Sequence, residues 1–102
     1  MLPIVADQLD GVRAACLAYG VARLSLFGSA AGGAFDVSRS DLDFLVEFLP
    51  CTPAEHYERY FSLRETLIRL FAREVDLIEF SAMRNPYLIR RATETLVSLY
   101  AA

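Results

Sequence analysis

Apolar residues recur at intervals of three and four in the first part of the chain, which is the spacing of an amphipathic helix. This pattern predicts a helix from Leu2 to Tyr19, with Pro3 in its first turn and Gly20 as its C-terminal cap. Near the other end, Asn85-Pro86 combines a preferred N-cap with proline at the first helical position. A shorter helix is therefore predicted from there to about Glu94.

A longer helix is predicted in the middle of the chain. Thr52-Pro53-Ala54-Glu55 has the form of a capping box with proline at the first helical position. The helix should run from there to about Ala72. Tyr57, Tyr60 and Phe61 recur at helical spacing, and we expect them to pack in the core rather than to form a stacking platform.

Strand patterns lie between these helices. Residues 41–49 alternate cleanly, and Asp41 and Asp43 fall on the face opposite to the main apolar side chains. Residues 74–80 form a second such segment, in which Asp76 falls opposite to two aliphatic side chains. The remaining predicted elements are strands at 21–27 and 96–100 and a loop at 28–40.

This order of elements predicts an α/β or α+β fold around a small sheet. The 102 residues suffice for one core, so residues 1–102 are predicted to form a single domain. The composition is 55% hydrophobic, which excludes a disordered chain. It is also a rich apolar content for so small a domain, which favours a surface for a partner protein.

Charge and cysteine content exclude several functions. The 13 acidic residues face 10 basic ones, all of them arginine, and the net charge of −3 disfavours DNA or tRNA as a partner. No segment approaches the roughly 20 apolar residues of a membrane span. Asp7 and Asp10 interrupt any signal-peptide core, and Cys16 and Cys51 form no zinc or redox motif. A cytoplasmic protein is expected.

Three features of the predicted strands indicate chemistry. Gly28 and Ser29 end the first strand, where a tight turn exposes backbone N–H groups that suit a phosphate. The carboxylates of Asp41 and Asp43, two residues apart, project to one side and can converge on a pair of Mg²⁺ ions. Asp76 lies in an otherwise apolar strand. Each feature alone is also explained by a turn or a solvent-facing side chain, but their combination favours a site.

These residues resemble a known family. Phe27-Gly28-Ser29, then Asp41-Leu42-Asp43, then Val75-Asp76-Leu77-Ile78 are similar to the motifs of the polymerase-β-type nucleotidyltransferases. More narrowly, nearly the whole chain resembles the minimal nucleotidyltransferase (MNT) antitoxins that are paired with HEPN-domain toxins. The resemblance implies a nucleotidyltransferase core, a small mixed β-sheet with helices packed mainly on one face.

The resemblance also implies a role for each residue. Gly28 and Ser29 would bind the β- and γ-phosphates of a nucleoside triphosphate, and Asp41 and Asp43 would ligate two Mg²⁺ ions. Asp76 would complete the metal site and help to deprotonate the attacking hydroxyl. The implied reaction transfers NMP, AMP from ATP, to a hydroxyl of a partner protein. That partner would be a HEPN-type ribonuclease toxin, which the modification silences.

One departure from the family pattern keeps other functions open. Many relatives carry an arginine where this loop has Gly32, and that arginine could have contacted phosphate. Arg39 either replaces it from the far side of the loop or is a solvated charge. One alternative is a catalytically weak or inactive domain that neutralises its partner by occlusion. Another, transfer to a small molecule, is disfavoured because a chain this short leaves no second domain to enclose one. Homo-oligomerisation is also open.

Overall fold

Four strands in the described part of the chain form one mixed sheet. A computed structural model describes residues 2–28 and 41–102. The strands are β1 (Val21–Phe27), β2 (Leu42–Phe48), β3 (Val75–Glu79) and β4 (Val97–Ala101), and their order in the sheet is β3-β2-β1-β4. β1 pairs antiparallel with β2 and with β4, whereas β2 and β3 are parallel.

Helices cover both faces of this sheet unequally. The described α-helices are α1 (Pro3–Asp7), α2 (Leu9–Ala18), α3 (Pro53–Phe71) and α4 (Pro86–Thr95), and a short 3-10 helix spans Phe80–Ala82. The first three contribute to the main core on one face, and α4 packs on the opposite face. This is the predicted mixed sheet with helices mainly on one face. None of the helices in residues 2–28 and 41–102 is long and apolar enough to cross a bilayer.

The main core explains why the strand patterns alternate. Phe44 belongs to the main core and its neighbour Leu45 to a smaller cluster beneath α4, because successive strand residues point to opposite faces. Burial of this apolar surface is the principal driving force for folding. The fully buried side chains of the main core include Val5, Val12, Cys16, Leu24, Leu26, Leu42, Phe44, Val46, Leu63, Leu67 and Leu99.

The N-terminal segment forms two helices rather than the single one predicted. α1 and α2 are separated at Gln8, whose φ of −104° and ψ of 6° are not helical. Val5 before the break and Val12 after it are both fully buried. The apolar spacing therefore continues through the break, which is why the spacing did not indicate two separate helices. Gly20 follows α2 with a φ of +65°, as its predicted capping role requires.

The starts of α3 and α4 are confirmed in atomic detail. The Thr52 hydroxyl accepts a hydrogen bond from the Glu55 N–H at 3.2 Å, and the Glu55 carboxylate accepts one from the Thr52 N–H at 3.0 Å. Asn85 Oδ1 accepts from the Tyr87 N–H at 2.9 Å. α3 ends before Ala72, which adopts the left-handed conformation with a φ of 52°. These local signals fix the helix boundaries.

The expected burial of the aromatic residues of α3 is mostly wrong. Tyr57 is 68% exposed and Phe61 is 43% exposed, and their rings contact each other with centroids 4.7 Å apart. The face of α3 that packs against the sheet instead presents Leu63, Leu67 and Phe71. Apolar residues lie on more than one side of this helix, so their spacing did not determine which side is buried.

Candidate active site

Asp43 and Asp76 lie side by side on neighbouring strands. The parallel register pairs Asp43 of β2 with Asp76 of β3, and adjacent strands are about 4.8 Å apart. Both carboxylates project from the α4 face of the sheet, since the residues that flank them in sequence are buried in the main core. Asp43 is half-buried and Asp76 is exposed. The structure thus brings together two of the three predicted carboxylates.

Asp41 lies at the same end of β2. It is exposed and comes immediately before the strand. The next residue, Leu42, donates its N–H to the carbonyl of Glu74 at 3.4 Å, which joins the start of β2 to the residue before β3. Asp41 therefore lies at the end of β2 at which Asp43 and Asp76 pair.

Gly28 packs against the carboxylate of Asp43. In the antiparallel pairing of β1 with β2, Phe27 lies opposite Asp43, and Gly28 follows with a φ of +75°. A Cβ atom on Gly28 would lie 2.5 Å from Asp43 Oδ2, which is far inside van der Waals contact. Glycine is thus required here for both the backbone conformation and the approach of the carboxylate.

The backbone N–H of Gly28 has a partner that the sequence did not suggest. It donates to the hydroxyl of Thr95 at 3.0 Å, and Thr95 is the last residue of α4. Sixty-seven residues separate the two in sequence, and no local motif marks Thr95. The contribution of Gly28 at this position is therefore its positive φ and its lack of a side chain, since its N–H is already bonded.

Three predictions concern residues outside the described part of the chain. Ser29 and Arg39 were predicted to contact phosphate, and Gly32 replaces the arginine of many relatives. All three lie within residues 29–40, beyond the described ranges 2–28 and 41–102. Their roles stay predictions.

The donor chemistry of the carboxylates fits Mg²⁺. Mg²⁺ prefers oxygen ligands, and it typically takes one or two carboxylates together with water and phosphate oxygens. Asp43 and Asp76 supply two carboxylates from adjacent positions of the sheet. Among the described residues, no three carboxylate, imidazole or thiol groups gather into a preformed metal site. The fit therefore rests on this pair, with phosphate oxygens of a bound nucleotide completing the ligand set.

The opposite end of β2 has a different character. A cavity of about 490 Å³ lies there, and its lining includes His56, Glu79 and Phe80. His56 Nε2 forms a hydrogen bond to Glu79 Oε1, and Arg23 forms an ion pair with Glu47. Each of these two glutamates thus has a nitrogen-containing side chain as its partner. Neither belongs to the pair of carboxylates at Asp43 and Asp76.

The chain is similar to known proteins over most of its length. The family profile described as nucleotidyltransferase domain matches residues 9–99. Two proteins of Methanocaldococcus jannaschii, MJ0128 and MJ1379, are described as proposed protein adenylyltransferases. MJ0128 is 37% identical over 78% of this chain and 76% of its own length. MJ1379 is 34% identical over 78% of this chain and 77% of its own length.

Solved structures share the fold. The structure of a proposed minimal nucleotidyltransferase matches with a TM-score of 0.66 and 26% identity, covering 91% of this chain and 90% of that one. A toxin-antitoxin structure with AMP-PNP matches with a TM-score of 0.67 and 18% identity, over 92% and 73%. The complex of tri-AMPylated Shewanella oneidensis HEPN toxin with MNT antitoxin matches with a TM-score of 0.60 and 15% identity, over 95% and 72%.

Proposed function

The chain belongs to the nucleotidyltransferase domain family, and we propose that it transfers AMP from ATP, in the presence of Mg²⁺, to a hydroxyl group of a partner protein. The observation that carries this proposal is the pairing of Asp43 with Asp76 across β2 and β3, with Gly28 packed against the Asp43 carboxylate. This arrangement supports the proposal, because two carboxylates whose chemistry suits Mg²⁺ lie beside the turn at which phosphate would bind.

Each proposed group has a distinct task. Asp41, Asp43 and Asp76 would hold Mg²⁺, which neutralises negative charge on the phosphate oxygens when it is bound. Gly28, whose own N–H is bonded to Thr95, would let the β- and γ-phosphates approach these carboxylates without a side chain in the way. Ser29 would bind the phosphates, and Arg39 would add a positive charge. These residues act by positioning and by electrostatic stabilisation, as in other phosphoryl transfers.

The proposed reaction is a single displacement at the α-phosphorus of ATP. The acceptor hydroxyl oxygen forms a bond to the α-phosphorus, and the bond from that phosphorus to the β-phosphate oxygen breaks. Pyrophosphate leaves, and the hydroxyl proton passes to a carboxylate oxygen of Asp76. Asp76 suits this task because it is exposed on an edge strand, where an acceptor side chain can reach it.

We propose a HEPN-type toxin as the acceptor protein. The supporting observation is that structures of the same fold include an MNT antitoxin in complex with a tri-AMPylated HEPN toxin. The net charge of −3 and the absence of lysine make tRNA or DNA a poor alternative acceptor. Cys16 and Cys51 are free thiols, which suits the reducing cytoplasm in which we place the protein.

A transfer assay distinguishes this function from neutralisation of the partner by occlusion. Gly32 favours occlusion, because glycine has no side chain that could bind phosphate. The protein is incubated with Mg²⁺, α-labelled ATP and the candidate partner protein that is co-expressed with it, which is called its neighbour below. We expect label on the neighbour and a loss of at least about 100-fold in Asp43→Asn, because a metal ligand is removed. Asp7→Asn, which removes the same charge from an exposed position of α1, should leave labelling unchanged.

Two results would contradict the proposal. Label that persists at the wild-type level in Asp43→Asn would show that the Asp43 carboxylate does not hold a metal ion that the transfer needs. An unlabelled neighbour that is still neutralised by Asp43→Asn would establish occlusion instead. Label on added tRNA rather than on protein would contradict the proposed acceptor alone.

A further inference from the structure

We propose that Thr95 is a positioning residue of the proposed active site, which holds the backbone of Gly28 in place against Asp43. This inference rests on the proposed function and deepens it. Thr95 is the last residue of α4. Its hydroxyl acts through Gly28, to whose N–H it is bonded at 3.0 Å.

The register of the sheet explains why Thr95 reaches Gly28. β1 and β4 are antiparallel, and Leu26 lies opposite Val97. Two further steps along this ladder would place Gly28 opposite Thr95. Thr95, however, still belongs to α4, and β4 begins only at Val97. A side-chain hydroxyl thus takes the place in the register that a backbone carbonyl would occupy in a longer strand.

The hydrogen bond is placed where its loss matters. Gly28 is buried, and a buried N–H without a partner is costly. Gly28 also has a φ of +75°, a conformation that glycine can leave easily because it has no side chain. The hydrogen bond from Thr95 therefore restrains the backbone of Gly28, and glycine is the residue type whose backbone is otherwise least restrained. The restraint keeps the end of β1 against the Asp43 carboxylate.

Thr95 also connects three parts of the fold. It ends α4, it precedes the edge strand β4, and it bonds to the end of the central strand β1. α4 covers the smaller cluster that contains Phe27, the residue immediately before Gly28. The position of the Gly28 backbone is thereby tied to the packing of α4 on the sheet.

Thr95→Val tests the proposal, because valine keeps the branched shape and removes the hydroxyl. We expect amide hydrogen exchange at Gly28 to accelerate, and the KM for Mg·ATP to rise roughly three- to tenfold, the worth of one hydrogen bond. The kcat should change less, since the carboxylates are intact. Thr95→Ser, which keeps the hydroxyl, should restore both values.

Thr93→Val provides the matched control. The Thr93 hydroxyl, on the same helix, donates to the carbonyl of Ile89 at 2.8 Å and is exposed. Its loss should leave Gly28 exchange and the KM unchanged. The proposal is overturned if Thr95→Val behaves like Thr93→Val in Gly28 exchange, or if Thr95→Ser fails to restore it. A wild-type protein that transfers no AMP would contradict the proposed function, and the Gly28 exchange comparison would still decide the role of Thr95.

Discussion

Gly28 combines a left-handed backbone with close contact to a carboxylate, and both properties follow from the absence of a side chain. The turn at Gly28 was predictable from the sequence, since a Gly-Ser pair at the end of an apolar strand is typical of a turn. Its contact with Asp43 was not predictable, because that contact depends on how β1 and β2 are aligned. The bond from its N–H to Thr95 depends in turn on the alignment of β4.

Gly28→Ala should damage the site more than the fold. Alanine with a positive φ costs roughly 1–2 kcal/mol, and its Cβ would displace the Asp43 carboxylate from a position 2.5 Å away. We expect a free energy of unfolding lower by at least about 1 kcal/mol in urea denaturation, and a loss of AMP transfer of at least tenfold.

Gly20→Ala is the control for backbone strain alone. Gly20 has a similar φ of +65°, and the nearest atom to its added Cβ is at the flexible end of the Arg59 side chain. The Gly20→Ala variant should lose about 1 kcal/mol of its free energy of unfolding and keep full transfer activity. Equal activity in the two variants would contradict the proposed role of Gly28.

Cys16 should make the stability of the protein fall at alkaline pH. Burial raises the pKa of its thiol from 9.0 to about 12. Between these values the unfolded chain has released the proton and the folded chain has kept it, so rising pH favours unfolding. We expect the wild type to lose stability faster than Cys16→Val between pH 9 and 12, by up to about 1.4 kcal/mol per pH unit.

Urea denaturation at several pH values measures this difference. Every other titrating group is common to the two proteins, so the comparison isolates Cys16. Parallel stability curves for the wild type and Cys16→Val over this pH range would show that the thiol titrates normally in the folded protein.

At the scale of elements, the edge strand β3 carries Asp76 and is held by α3. The Tyr60 hydroxyl donates to the carbonyl of Leu77 at 2.6 Å, one residue from Asp76. Burial raises the pKa of the Tyr60 phenol, which keeps it protonated as a donor. The boundaries of α3 were predictable because its caps are local, whereas the orientation of its aromatic residues was not, because it depends on which face meets the sheet.

Tyr60→Phe should therefore impair the site through β3. The lost hydrogen bond should cost about 1 kcal/mol of stability and lower the rate of AMP transfer several-fold, because Asp76 is less firmly placed. Tyr19→Phe is the matched control, since the Tyr19 hydroxyl hydrogen-bonds to the Thr66 hydroxyl at 3.1 Å, between α3 and the end of α2. Transfer rates that fall equally in both variants would contradict a specific role for Tyr60.

At the scale of the whole molecule, the mixed sheet assembles residues that are far apart in sequence. The order of elements and the family resemblance predicted the fold, because both rest on patterns in the sequence. The split of the first helix and the Thr95 bond were missed, since neither changes such a pattern. Several large apolar side chains are exposed, and they include Leu17, Tyr57 and Tyr87 on three helices. Their use by a partner protein stays a prediction.

In the proposed function, metal-bound nucleotide occupies the end of the sheet where Gly28, Asp43 and Asp76 meet. Paramagnetic broadening tests it directly, with Mn²⁺ and a non-hydrolysable ATP analogue added to ¹⁵N-labelled protein. We predict that the amide signals of these three residues broaden first. The signals of His56 and Phe80 should persist, because they lie at the opposite end of β2, roughly 15 Å away along the strand. Broadening that begins at His56 and Phe80, or that spares Asp43 and Asp76, would contradict the account.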